Sequence, residues 1–202
     1  MMERMLNRTG ARLGRQAARL VASSGRCAIA PGLTKAEFDR IEAAFGIEFS
    51  DDHREFLAAG LPLDLPANAA DRVTGWPDWR YGNPESLRAR LRWPVEGVLF
   101  DVEHNVFWDE TWGPRPSRTA DALAEARGHL AHVPVMVPVC SHRYLPAGRG
   151  DWGHPVLSMY QTDIIIYGGD LTAYLHKELG IRNPNPGTEP HPTVEFWRDL
   201  VS

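Results

Sequence analysis

The sequence predicts an α+β domain, and three features point to it. Capped helical periodicity governs the stretch after residue 33, period-two alternation replaces it after Pro94, and a capped helix returns after Gly169. The length of 202 residues fits one domain with short extensions, and 43% hydrophobic residues can build a sizeable core. The reading divides the chain into a basic N-terminal extension (1–32), an α+β domain (33–180) and a Pro-rich tail with a short helix (181–202).

Taken in order, residues 1–24 read as a basic amphipathic helix, with Leu6, Leu13, Ala17 and Leu20 on one stripe. Three uses are open to it: contact with an anionic membrane or a partner, a transit-peptide-like role, or packing on its own domain. Thr34 and Glu37 make a capping box, Leu33 can staple onto Phe38, and Phe38, Ile41 and Phe45 share a face ending at Gly46. Ser50 is expected to cap a second helix that carries Asp51 and Asp52 in its first turn and stops at Gly60. Residues 61–84 read as loop. Asn83-Pro84 then opens a short helix through Leu91.

After Pro94, Val98, Phe100, Val102, Val106 and Trp108 alternate with Asp101, Glu103 and Asn105. The alternation predicts antiparallel strands, with Phe100 and Trp108 buried and the acids facing out. Residues 119–130 read as a helix. Residues 133–139 read as an edge strand blunted by Pro134 and Pro138. A hairpin turns at Gln161-Thr162-Asp163, Asp170 caps a helix closed by Gly180, and Thr193 can cap a terminal helix through Trp197.

The net charge of −4 is uneven. Residues 1–26 carry +5, which leaves −9 on the remainder. An acidic body argues against nucleic acid and suits a basic protein partner. No apolar run of membrane-spanning length and no signal-peptide core appear, and Cys27 and Cys140 read as free thiols, so a cytoplasmic protein is expected. No cofactor and no metal are expected. The Gly148–Gly153 match to G-x-G-x-x-G lies between Pro146 and Pro155, where no helix can follow, and reads as a flexible loop. His129 and His132 lack a third ligand nearby in sequence. Cys140 and His142 could meet on one strand face as a thiolate pair, although a buried, inert thiol is the commoner arrangement.

Several segments resemble the SUKH superfamily, the Smi/Knr type of protein, and a bacterial subgroup of it. They are Ile47-Glu48-Phe49-Ser50 leading into Glu55-Phe56-Leu57, Trp76-Pro77-Asp78-Trp79-Arg80, and Trp93-Pro94-Val95-Glu96-Gly97 into Phe100-Asp101. Phe107-Trp108 with Trp112-Gly113-Pro114-Arg115-Pro116, His142-Arg143-Tyr144-Leu145-Pro146 and Tyr160-Gln161-Thr162-Asp163-Ile164-Ile165 complete the set. The resemblance implies a twisted, mainly antiparallel sheet flanked by helices. It also implies a non-catalytic binding role, often as an immunity protein that blocks a toxin. No catalytic residues come with it.

Candidate binding residues are therefore sought among aromatic, acidic and strand-end positions: Trp76, Trp79, Arg80, Asp101, Glu103, Trp108, Trp112, Arg115, His142, Arg143, Tyr160, Gln161 and Asp163. Two of Trp76, Trp79 and Trp112 are expected in exposed loops, where Trp and Arg make binding hot spots. Three uses are weighed: an acidic and aromatic surface for a basic protein partner, a small-ligand or carbohydrate cleft between Trp79, Trp112, His142 and Gln161, and acid–base chemistry by Asp101 and Glu103. An Arg143–Asp163 pair locking the sheet is the structural alternative for the strand-end polar groups.

Overall fold

The computed structural model describes residues 7–65, 75–184 and 194–202. Leu6, Thr193 and most of the Pro-rich tail lie outside them. The chain folds as α1 (Arg8–Ser24), β1 (Ala28–Ala30), α2 (Lys35–Phe45), α3 (Asp51–Ala59), β2 (Leu61–Leu63) and α4 (Pro84–His104), followed by a 3₁₀ turn (Glu110–Trp112). It continues with α5 (Thr119–Leu130), β3 (Met136–Cys140), β4 (Arg143–Pro146), β5 (Val156–Tyr160), β6 (Asp163–Gly168), α6 (Leu171–Glu178) and a closing 3₁₀ turn (Trp197–Leu200). All strand pairs in the two sheets are antiparallel: β1 with β2, and β3-β4-β5-β6 in order. This is the α+β domain expected.

The four-stranded sheet is covered on both faces, because alternate side chains point opposite ways along a strand. Val137, Val139, Leu145 and Val156 join a core with α1, α2, α3 and α6. Met136, Tyr144, Leu157, Met159 and Ile164 join a second core with α4, α5 and Trp197. β3 is an edge strand, and it starts at Met136, so Pro134 lies before it and Pro138 alone blunts it, having no N–H to offer an outer neighbour. β4 and the β1–β2 pair are elements that the sequence reading did not delimit.

α2 starts with the expected capping box. Glu37 N–H donates to Thr34 Oγ1 at 3.3 Å, and Thr34 N–H donates to Glu37 Oε2 at 2.7 Å. α1 packs on α3 and α6 through Gly10, Ala11, Gly14, Ala17 and Val21. Packing on its own domain is thus the arrangement of α1. A Cβ at Gly14 would stand 2.3 Å from the Asp52 carbonyl oxygen, so glycine permits that approach.

The stretch after Pro94 corrects the strand expectation. α4 runs unbroken through Pro94 to His104. Val98 and Val102 are both fully buried, four residues apart, and Asp101 is buried beside them. Val98 and Val102, at i and i+4, fit helical spacing as well as alternation, while Phe100 between them turns to the opposite face. Pro94 has no N–H for the carbonyl four residues earlier. That carbonyl, of Arg90, accepts from the Tyr144 hydroxyl at 2.9 Å. The consequences run through the acidic and aromatic positions. Phe100 is 44% exposed and Trp108 half-buried, where both were expected inside, and Asp101 is 3% exposed, where it was expected outside.

One cap and one loop also differ. Ser50 Oγ donates to Asp52 Oδ1 at 2.9 Å and caps no backbone N–H. Asp51 and Asp52 are fully buried because they bind the Gly148–Gly153 loop. Gly150 N–H donates to Asp51 Oδ1 at 3.0 Å, and Gly153 N–H to Asp52 Oδ2 at 2.9 Å. Arg149 pairs with Glu42. A loop expected to be flexible is tied down by two buried carboxylates.

Candidate functional site

The candidate binding residues separate into four places. Trp79 is 2% exposed and belongs to the first core, edge-on to Phe45 and Phe49 at 5.9 and 5.2 Å. Trp76 is half-buried against Phe56. Arg80 is a clamp: Nε donates to Glu37 Oε1 at 2.5 Å, Nη1 to the Pro31 carbonyl at 3.0 Å and Nη2 to the Gly32 carbonyl at 2.9 Å. The guanidinium and the Thr34 backbone N–H hold the Glu37 carboxyl down at about 2. The expected exposed Trp76–Arg80 hot spot is therefore structural, because its side chains are taken up by the core and by α2.

His142 and Arg143 lie at the β3–β4 turn. Ser141 has φ 50° and turns the chain, so Cys140 and His142 do not share a strand face. His142 Nδ1 meets Ser141 Oγ at 2.9 Å, and burial lowers the imidazole pKa. Cys140 lies beside Tyr174, and burial pushes its thiol up to about 12, so it stays protonated and the thiolate pair does not form. Arg143 donates to Ser158 Oγ at 3.0 Å and lies 3.8 Å over the Tyr167 ring. It faces Ser158 in register, which rules out the expected pair with Asp163 at the hairpin turn.

The third place is the outer face of α4 where the β5–β6 turn meets it. Two α4 residues one turn apart make the junction. A Cβ at Gly97 would lie 2.9 Å from Gln161 Cα, so glycine lets the turn approach. Asp101 Oδ2 accepts from Thr162 N–H at 2.8 Å and Thr162 Oγ1 at 2.6 Å, while Oδ1 accepts from Asn105 Nδ2 at 2.5 Å. A carboxylate engaged in this way is a turn anchor, and it leaves no second acid beside it, because Glu103 points to solvent. The carboxylate-pair chemistry weighed from sequence has no geometry to rest on. With the turn fixed, Tyr160 is 56% exposed and its ring lies 6.4 Å from that of Trp93, itself 36% exposed. Phe100 continues the row along α4, its ring tilted by 48° against that of His104 at 4.4 Å. Asp163 is the register partner of Tyr160, so both leave the same face of the hairpin. Glu103, and Glu96 paired with Arg92 at 3.0 Å, border the row. Three exposed aromatic side chains with an acidic border thus converge here. Sequence reasoning held Glu103, Tyr160, Gln161 and Asp163 as candidates, but it missed Phe100 and left Trp93 out of the site.

The fourth place is a cleft of about 570 Å³, lined by Asp109, Glu110, His129, His132, Glu195, Asp199 and their neighbours. Behind its wall, Trp112 is buried, with His129 and Phe196 stacked on it at 5.3 and 6.0 Å and Trp108 edge-on at 5.1 Å. Trp108 Nε1 donates to the Gly113 carbonyl at 2.7 Å, and Arg115 donates to the Val102 carbonyl at 3.0 Å, so both support the wall. Phe196 has φ 66° and ψ −59°, a strained turn closed by Trp197 N–H to the Glu195 carbonyl at 2.9 Å. Among the described residues, no three His, Cys, Asp or Glu side chains come together as metal ligands. The ligand cleft expected between Trp79, Trp112, His142 and Gln161 does not form, since Trp79 and Trp112 belong to different cores. Glu195, Phe196 and Asp199 carried no signal of their own in the sequence.

Comparison of the chain with protein families, with curated proteins and with solved structures returns no match. Among the described residues, no helix is long and apolar enough to cross a membrane.

Proposed function

We propose that the chain is a non-catalytic binding protein that docks a basic segment of a protein partner on the outer face of α4. One observation carries the reading: Trp93, Phe100 and Tyr160 lie exposed together, bordered by Glu103 and Asp163. Interface hot spots are rich in Trp and Tyr, and a contiguous exposed apolar patch with a polar rim is the usual mark of a docking site. The −9 carried by residues 27–202 favours a basic partner through steering. The resemblance of its segments to the SUKH superfamily supports an immunity-type role, with a toxin domain as partner. The protonated Cys140 thiol and the turn-bound Asp101 carboxylate are not free for the thiolate or acid–base roles weighed for them.

The test is capture of partners from native lysate by the wild-type chain and by Trp93→Ala/Tyr160→Ala, at low and high salt. The reading expects a stoichiometric basic protein, lost at high salt and lost by the double variant. A partner held equally by both chains would remove α4 from the account.

A second reading rests on the cleft. Its aromatic wall and the carboxylates of Glu110 and Glu195 suit a small cationic ligand, whereas Asp199 is paired with Arg198 and Asp109 accepts from Thr111. Thermal-shift screening with small amines against wild type and Glu110→Gln/Glu195→Gln separates it from the first. A shift that the variant abolishes would favour the cleft.

A further inference from the structure

The face of α1 turned away from the domain carries a straight row of arginines. Arg8, Arg12, Arg15 and Arg19 recur at i, i+4, i+7 and i+11, so they share one ridge over roughly 16 Å of helix. All four are exposed, opposite the Gly10, Gly14, Ala17 and Val21 face that packs inward. α1 contains no Asp or Glu. Arg15 bridges to Glu55 at 2.6 Å, whereas Arg8, Arg12 and Arg19 make no ion pair among the described residues. Elsewhere the arginines are commonly paired, as Arg54, Arg80, Arg88, Arg92 and Arg198 are.

We propose that this ridge adsorbs α1 lengthwise onto a membrane surface bearing anionic phospholipid headgroups. Guanidinium groups bind phosphate oxygens bidentately, and a planar array of phosphates can meet all four at once. A specific protein interface would centre on aromatic or aliphatic anchors. The exposed residues of α1 other than arginine include only Ala22 and Ser23, so the ridge offers no such anchor. A nucleic-acid groove would wrap around the helix and press its phosphates on the flanking body, which carries −9. A flat leaflet touches the ridge alone. The apolar face of α1 is already occupied by α3 and α6, so the helix rests on headgroups and does not insert. This surface is independent of the α4 face.

The test is co-sedimentation of the full chain with phosphatidylcholine vesicles, with and without phosphatidylserine, at low and high salt. The variants are Arg8→Gln/Arg12→Gln/Arg19→Gln and the matching triple change to Lys, both checked for an unchanged melting temperature. Each basic residue near an anionic leaflet is worth about fivefold in partitioning, so the Gln variant is expected to bind about a hundredfold less than wild type. The Lys variant keeps the charge without the bidentate geometry, so it is expected to bind less tightly than wild type but well above the Gln variant, and binding is expected to fall with salt and to vanish without phosphatidylserine. Equal binding by the Gln variant, equal binding to neutral vesicles, or no binding to either vesicle would overturn the proposal. So would ridge-dependent binding to polyglutamate or to RNA in place of vesicles.

Discussion

Trp79 and Trp93 lie on opposite sides of the helix-capping Asn83-Pro84, and the protein uses them in opposite ways. Around Trp79, the region from α1 to Arg80 closes on itself. Phe38, Phe49 and Phe56 are buried, Arg54 and Arg149 converge on Glu42, and Arg80 is spent on Glu37 and two carbonyls. Around Trp93, α4 and the β5–β6 turn leave Trp93, Phe100 and Tyr160 facing out, while the polar groups beneath them hold the backbone in place. An aromatic residue beside an arginine therefore says little by itself. Whether its polar neighbours are consumed by backbone and core, or free to border a surface, decides its role.

The contrast can be broken most sharply at the tryptophans themselves. Trp79→Ala should lower unfolding stability in urea by about 3–5 kcal/mol, because the surrounding rings cannot close the cavity. Trp93→Ala should cost under about 1 kcal/mol while weakening partner capture. Similar losses at both positions would erase the distinction between the regions.

Acid should act on the closed region through His53. It is fully buried, edge-on to Phe49, and burial lowers its pKa from 6.5 to about 3. The unfolded chain thus binds a proton between pH 6.5 and 3 that the folded chain refuses, so this contribution to stability falls as pH drops through that window. From pH 6.5 to 4 the loss is on the order of 3 kcal/mol. Asp52 works the other way, since burial raises its carboxyl and protonation favours the fold. His53→Phe isolates the His53 contribution: urea melts of the variant across this range should lack the steep acid loss that the wild type shows. Parallel losses in the two chains would assign the acid sensitivity elsewhere.

Smaller effects are expected where backbone is held under the open face. Asp101→Ala removes the acceptor for Thr162 N–H and should cost about 2 kcal/mol, with faster hydrogen exchange at residues 160–163. Tyr144→Phe leaves the Arg90 carbonyl without its donor and should cost about 1–2 kcal/mol. A Tyr144→Phe chain as stable as wild type would mean that Pro94 needs no such support.

Local chemistry was legible where one segment decides the outcome alone. The Thr34–Glu37 box, the Asp170 cap and the β5–β6 hairpin all stand in the structure. Legibility failed where a distant partner decides. Val98 and Val102 satisfy both periods, and what decides between the periods is packing against α5 and the sheet, together with Tyr144 reaching Arg90 across the second core. Asp51 and Asp52 read only as first-turn acids favoured by the helix dipole, whereas the Gly148–Gly153 loop buries them. The stripe read in α1 held Ala17 but passed over Gly10, Gly14 and Val21, although the glycines allow its closest contact. The candidate site was read in part: Glu103, Tyr160 and Asp163 were found, whereas Phe100 was lost with the strand reading of α4. Glu195–Asp199 joins the cleft only through tertiary anchors such as Trp197 Nε1 to the Pro134 carbonyl, at 2.6 Å.

The most direct test of the docking claim places a photo-crosslinking phenylalanine analogue at Phe100 in one chain and at Tyr81 in another. Tyr81 is the more exposed of the two and directly follows the closed region. Irradiation in native cells should yield a defined adduct with a basic protein from position 100 and none from position 81. An adduct from position 81 alone, or the same adduct from both, would contradict the assignment of binding to the outer face of α4.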